Sequence, residues 1–133
     1  MDGYKSLTHS RYDGKYYVAF VPKGRKKSLY GKLRKYLKEV FHELARQKGC
    51  EIISGHMATD HVHVCIAIPP QYAVSEVIGH LKGKSAIAAA RQFGENLWAR
   101  GYAVSTVGFE PDKIKDYIAH QEKRDTEQEE GRF

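Results

Sequence analysis

The sequence predicts an α+β domain of β-α-β-β-α-β order, on three observations. Four short runs rich in β-branched and aromatic residues read as strands. Between them, two longer stretches repeat their apolar residues at helical spacing. Pro, Gly or a short polar link marks each change of period. In a ferredoxin-like, split-βαβ arrangement this order gives one antiparallel sheet with the helices on one face. A length of 133 residues suits a single domain over 1–133 and is too short for two cores.

Taken in order, residues 6–14 are polar and turn-rich, and Lys15-Tyr16-Tyr17-Val18-Ala19-Phe20-Val21, closed by Pro22, is the first strand. From about Ser28 the period changes: Leu29, Leu33, Leu37, Val40, Phe41 and Leu44 fall on one helical stripe, and Gly49 offers a stop. Residues 50–57 read as a second strand and 61–68 as a third, joined as a hairpin through Thr59-Asp60. Pro69-Pro70 ends the third by removing backbone donors. Ser75 is the expected N-cap of a second helix through Val77, Ile78, Leu81 and Ile87 to Phe93, weakened by Gly79 and Gly83. Residues 101–108 form the expected fourth strand. Pro111 then opens a C-terminal helix that holds Ile114, Tyr117, Ile118 and Gln121, and the acidic residues from about 124 to 133 read as a frayed tail.

Composition narrows the function classes. With 41% hydrophobic and 29% charged residues the chain reads as globular, and no stretch approaches the roughly 18 apolar residues that span a bilayer. Met1-Asp2-Gly3-Tyr4-Lys5 lacks a signal peptide's apolar core, so a cytoplasmic location is expected, with Cys50 and Cys65 reduced. Net charge is +6, but between Pro22 and Lys48 ten basic residues face two acidic ones, a local +8 that leaves −2 for the remainder. Such a stripe fits a polyanion partner, although a solvated helix face has the same pattern. Acidic lipid is a weaker fit, because the apolar residues of this region look committed to a core.

The third strand carries the chemistry. Val62, Val64, Ile66 and Ile68 alternate with His61, His63, Cys65 and Ala67, so one face is apolar and the other bears two imidazoles. Their Cα atoms would be about 6.5–7 Å apart, close enough for both rings to reach one metal ion or one phosphate. Asp60 precedes the pair, and because adjacent strand residues point to opposite faces it reads as a turn cap. In the last helix Tyr117 and Gln121 are four residues apart and share a face, which presents a phenol and a carboxamide together.

Four motifs in order give a resemblance. Asp60-His61-Val62-His63, Val74-Ser75-x-Val77-Ile78-x-x-Leu81-Lys82-Gly83-Lys84-Ser85, Trp98-Ala99-Arg100-Gly101-Tyr102-x-Val104-Ser105-Thr106-Val107-Gly108, and Ile114-x-x-Tyr117-Ile118-x-x-Gln121 resemble the single-tyrosine HUH transposases of the IS-two-hundred and IS-six-hundred-and-five class. The likeness runs from the first strand to Gln121. It implies His61, His63 and Gln121 as ligands of Mg²⁺ or Mn²⁺, and Tyr117 as the nucleophile that cleaves single-stranded DNA and leaves a 5′-phosphotyrosine. It implies a homodimer that shares its active sites, and hairpins at insertion-sequence ends as substrate. Held against those hairpins would be Lys23, Arg25, Lys26, Lys27, Lys32, Arg34, Lys35, Lys82, Lys84 and Arg100. The protein would then be nucleoid-associated when bound to DNA.

Thr59 stands where many relatives have Pro, which loosens a turn without touching a ligand, and Gly24 stands where an aromatic residue is common. Two other readings compete. A histidine-triad nucleotide hydrolase would need a third His where Cys65 stands. A domesticated or inactive relative would bind hairpins without cutting, yet Tyr117, His61, His63 and Gln121 are all retained.

Overall fold

The computed structural model describes residues 14–106 and 126–133. Its elements are β1 (Gly14–Phe20), α1 (Gly31–Gln47), β2 (Glu51–Met57), β3 (Val62–Ile68), α2 (Val74–Phe93), β4 (Ala103–Thr106) and a short α3 (Thr126–Gly131). A single 3-10 turn, Lys23–Arg25, lies between β1 and α1. The sheet order is β2-β3-β1-β4, with every hydrogen-bonded pair antiparallel. This is the split-βαβ, ferredoxin-like sheet expected from the element order.

The core forms where the two periods meet. Val18 and Phe20 of β1 lie opposite Val64 and Val62 of β3, and with Ile66 and Ile68 they are buried under Leu33, Leu37, Phe41 and Leu44 of α1 and Val77, Ile78 and Leu81 of α2. Phe20 sits at the centre, edge-on to Trp98 at 4.8 Å and to Phe41 at 5.9 Å between ring centroids. The indole of Trp98 is buried with its N–H donating to Ser85 Oγ at 2.9 Å, so the large ring is accommodated without an orphaned donor.

β2 departs from regular pairing. Ile52 faces Ile66, but Ser54 faces Cys65, so Ile53 is an extra residue, a β-bulge whose side chain is half exposed. The bulge shifts every later pair by one. Both Ile52 and Met57 are buried in the core although they stand five positions apart, an odd spacing that an unbroken alternation forbids.

Several boundaries differ from the sequence expectation. α1 starts at Gly31 instead of near Ser28, because Ser28 and Leu29 form a buried lead-in tied to the β2–β3 turn by the Leu29 N–H donating to the Thr59 carbonyl at 3.0 Å. α2 starts at Val74 with Ala73 before it, so Ser75 is an exposed residue of the first turn and not the N-cap. The expected fourth strand contributes Ala103–Thr106, and the Pro111 helix lies outside the described residues.

The frayed acidic tail needs correction over residues 126–133. α3 is followed by Arg132, bridged to His56, and by Phe133, whose N–H donates to the Gly55 carbonyl at 3.0 Å. The Phe133 ring lies 5.7 Å from that of Phe41 and covers Gly55 so closely that a Cβ there would stand 2.6 Å from it. Glu130 reaches the buried guanidinium of Arg34 at 3.0 Å. An aromatic residue and an ion pair thus hold a segment whose composition reads as solvated.

Replacing Ser85 by Ala would leave the buried Trp98 N–H without its acceptor, and urea denaturation should show a loss of about 1–3 kcal/mol with an unchanged slope against denaturant.

Candidate active site

The two histidines owe their placement to different elements. His63 is fixed by β3: the buried valines on either side of it turn its ring to the face away from the helices, between Ala19 of β1 and His56 of β2. His61 lies just outside the strand, in a turn closed by the Ala58 N–H donating to the His61 carbonyl at 2.9 Å. The rings of His61 and His63 are 4.9 Å apart between centroids and nearly perpendicular at 84°. The pair anticipated from the motif is therefore brought together.

His56 has no part in the motif. It faces His63 across the β2–β3 ladder only because of the bulge at Ile53, and its ring is 6.5 Å from that of His61. Among the described residues no three His, Cys, Asp or Glu side chains are grouped so as to hold a metal ion. His61 and His63 could supply two nitrogens, and a third donor would have to come from elsewhere; Gln121 and Tyr117 lie outside the described residues.

Charge suits a ligand role. Burial, reinforced by His61 and His56, lowers the pKa of His63 to about 4, so its imidazole is neutral at neutral pH and retains a lone pair. Asp60 lies beside His61: Oδ1 is 2.8 Å from His61 Nδ1, and Oδ2 is 3.3 Å from the Arg25 guanidinium. The hydrogen bond with His61 is the main cause holding the Asp60 carboxyl below its usual range. The turn-cap reading assumed strand alternation, but β3 begins only at Val62, so nothing forces the Asp60 and His61 side chains apart.

Cys65 lies on the same face as His63 but is buried, and burial raises its thiol pKa. It has the character of a packing residue, not of a nucleophile. Beside His63 a shallow depression of about 190 Å³ is lined by Tyr17, Ala19, Ala103 and Ser105, among others, and opens toward the β4 side of the sheet.

The basic residues divide. Lys23, Arg25, Lys26 and Lys27 are exposed on the 3-10 turn and the loop after it, Lys32 and Lys35 are exposed on α1, and Lys84 and Arg100 are exposed as well. Arg34 is not a surface cation: it is 4% exposed, donating to the Met57 carbonyl at 3.3 Å besides its pair with Glu130. Lys82 donates to the carbonyls of Ala99 and Gly101 at 2.8 and 2.6 Å and lies over the Phe20 ring, so it clamps the loop leading to β4. Burial lowers its pKa.

A family model described as "Transposase IS200 like" matches residues 10–121. The chain is 39% identical over 129 residues to the transposase for insertion sequence element IS200 of Salmonella typhimurium, covering 91% of this chain and 85% of that one. It is 31% identical over 123 residues to the ISDra2 transposase TnpA of Deinococcus radiodurans, covering 86% and 88%. Among solved structures, a crystal structure described as a transposase from Deinococcus radiodurans R1 superposes with a TM-score of 0.70 at 26% identity, over 83% of this chain and 92% of that one. A REP-associated tyrosine transposase bound to a REP hairpin shares the fold, with a TM-score of 0.61 at 18% identity over 80% of this chain and 61% of that one.

The contrast between neighbouring cations on α1 can be measured. Lys35→Met should lower the slope of log affinity for a polyanion against log salt by about one. Arg34→Met should leave that slope unchanged and instead cost about 1–3 kcal/mol of stability in denaturant unfolding, since a buried guanidinium and its bonds are lost.

Proposed function

The chain belongs to the IS200-like transposase family, and from that membership we propose that it cuts and rejoins single-stranded DNA, with Tyr117 as nucleophile and His61, His63 and Gln121 as ligands of a divalent metal. The observation that carries this reading is the juxtaposition of His61 and His63 on the sheet face opposite α1 and α2, with the exposed Arg25 bonded to the Asp60 beside His61.

In the proposed cleavage the Tyr117 phenol oxygen attacks the scissile phosphorus. A phosphorus–oxygen bond to tyrosine forms as the bond to the 3′ oxygen breaks; the phenol proton is lost and the leaving oxygen gains one, which gives a 3′-hydroxyl. Rejoining is the reverse attack by a 3′-hydroxyl on the phosphotyrosine. Because one phosphoester replaces another, no nucleotide cofactor is needed. The residues that would hold the metal fit one: two imidazoles with available lone pairs and a carboxamide oxygen suit Mg²⁺ or Mn²⁺. Such an ion polarises a phosphoryl oxygen and offsets the charge that builds there. The chain's own contribution is to hold the two rings, and to draw in the phosphate backbone through Lys23, Arg25, Lys26 and Lys27.

The substrate in this reading is a DNA hairpin at an insertion-sequence end, a reading supported by the fold shared with a hairpin-bound tyrosine transposase. Folded strands are recognised through phosphates, shape and stacking, and the exposed ring of Tyr30 beside Lys32 and Lys35 suits that mode. The reading includes a homodimer in which the histidine face of one subunit meets the tyrosine helix of its partner. No helix among the described residues is long and apolar enough to cross a membrane, and the proposed location is the cytoplasm, on the nucleoid when DNA is bound.

The test is a labelled single-stranded hairpin library incubated with the protein and Mg²⁺ or Mn²⁺, followed by denaturing electrophoresis and mapping of any adduct. A chelator-sensitive adduct on Tyr117 is expected. Tyr117→Phe should reduce cleavage on the order of 10³-fold or more while hairpin binding persists. Retained cleavage in that variant, or an adduct on another residue, would overturn the nucleophile; tight binding without an adduct across the library would favour a hairpin binder that does not cut.

A further inference from the structure

We infer that Asp60, braced by Arg25, is a positioning residue for His61: its carboxylate takes the Nδ1 hydrogen bond and so leaves Nε2 as the ligating nitrogen. The inference deepens the metal reading above and rests on it for the purpose of the pairing, although the pairing can be measured with no metal present.

The geometry divides the carboxylate between two partners. Oδ1 is 2.8 Å from His61 Nδ1 and Oδ2 is 3.3 Å from the Arg25 guanidinium, so neither oxygen has to serve both. A carboxylate can only accept, and therefore the proton of a neutral His61 ring sits on Nδ1. Ligand histidines characteristically give their second nitrogen to such an acceptor, which fixes both tautomer and ring orientation.

The backbone on both sides is arranged to keep this contact. The 58–61 turn is closed by the Ala58 to His61 hydrogen bond, and its Thr59 carbonyl is held by the Leu29 N–H. On the other side Gly24 and Arg25 both have positive φ, 62° and 51°. The left-handed region is uncommon for a residue with a β-carbon, so Arg25 keeps it only because its surroundings impose it. Arg25 is nonetheless mostly exposed, with its side chain at 64%, and its guanidinium donates to Asp60. An exposed arginine in a strained backbone conformation, in contact with a carboxylate that touches a candidate ligand, is the juxtaposition from which Asp60's role follows.

A plain structural alternative is that Asp60 merely anchors the basic turn through Arg25. The two roles separate in the tautomer of His61, read by long-range ¹H–¹⁵N correlation spectra of the metal-free protein in alkaline buffer. Wild-type His61 is expected in the Nδ1–H form. Asp60→Ala should move it to the Nε2–H form that an unconstrained imidazole favours, and Arg25→Ala should leave it largely Nδ1–H. Asp60→Asn, which keeps the shape and drops the charge, should give a mixture and serves if the alanine variant fails to fold. Binding of Mn²⁺ alone should weaken about 10- to 100-fold in Asp60→Ala. A wild-type Nε2–H ring, or a tautomer indifferent to both Asp60 variants, overturns the inference. Failure of the wild-type protein to bind Mn²⁺ while the tautomer responds as expected would overturn the metal reading and leave Asp60's hold on His61 standing.

Discussion

The structure depends on the division of β3 between two environments. Val62, Val64, Ile66 and Ile68 are buried against the helices, and their burial is worth about 1.5–3 kcal/mol per side chain. Four such residues together match the whole net stability of an ordinary domain. A slip of one residue would turn all four outward and carry His63 into the core, so the hydrophobic requirement and the placement of the histidine are one constraint. β1 and β2 pair on either side of this strand, and α1 and α2 close over it.

That coupling explains why the sheet and half of the site could be read from the sequence. Alternation in residues 61–68 identified both the core face and the face of His63, and the element order sufficed for the strand arrangement. The remainder rests on features that periodicity does not encode. The bulge at Ile53 leaves no signature in Glu51-Ile52-Ile53-Ser54, and without it His56 cannot be placed beside His63. Asp60 was assigned by strand geometry, but it stands in a turn where that geometry does not apply. Arg34 and Lys82 have long flexible side chains whose charges fold back to carbonyls, and composition counts such a cation as surface. α3 and the Phe133 that follows it are held by tertiary partners, Arg34 on Glu130 and Phe41 on Phe133, and not by helical propensity.

The basic stripe is accordingly a mixture of two populations. Arg34 and Lys82 hold segments together, whereas Lys23, Lys26, Lys27, Lys32 and Lys35 project from the turn and helix. Arg25 belongs to both, exposed to solvent yet bonded to Asp60. Through it the exposed basic turn is joined to the turn that carries His61, so a polyanion drawn to the one would be delivered next to the other.

The bulge gives β2 an unequal tolerance to change. Ile53 is half exposed, and most side chains that accept an extended backbone could replace it at little expense, so its identity can drift. Its presence can be lost as well: with one residue fewer, Ile52 and Met57 would stand four positions apart, and plain alternation would keep both buried and His56 opposite His63. Losing a second residue would set them three apart, and either one of the two core side chains or His56 would have to leave its face. The stretch can be shortened once and not twice.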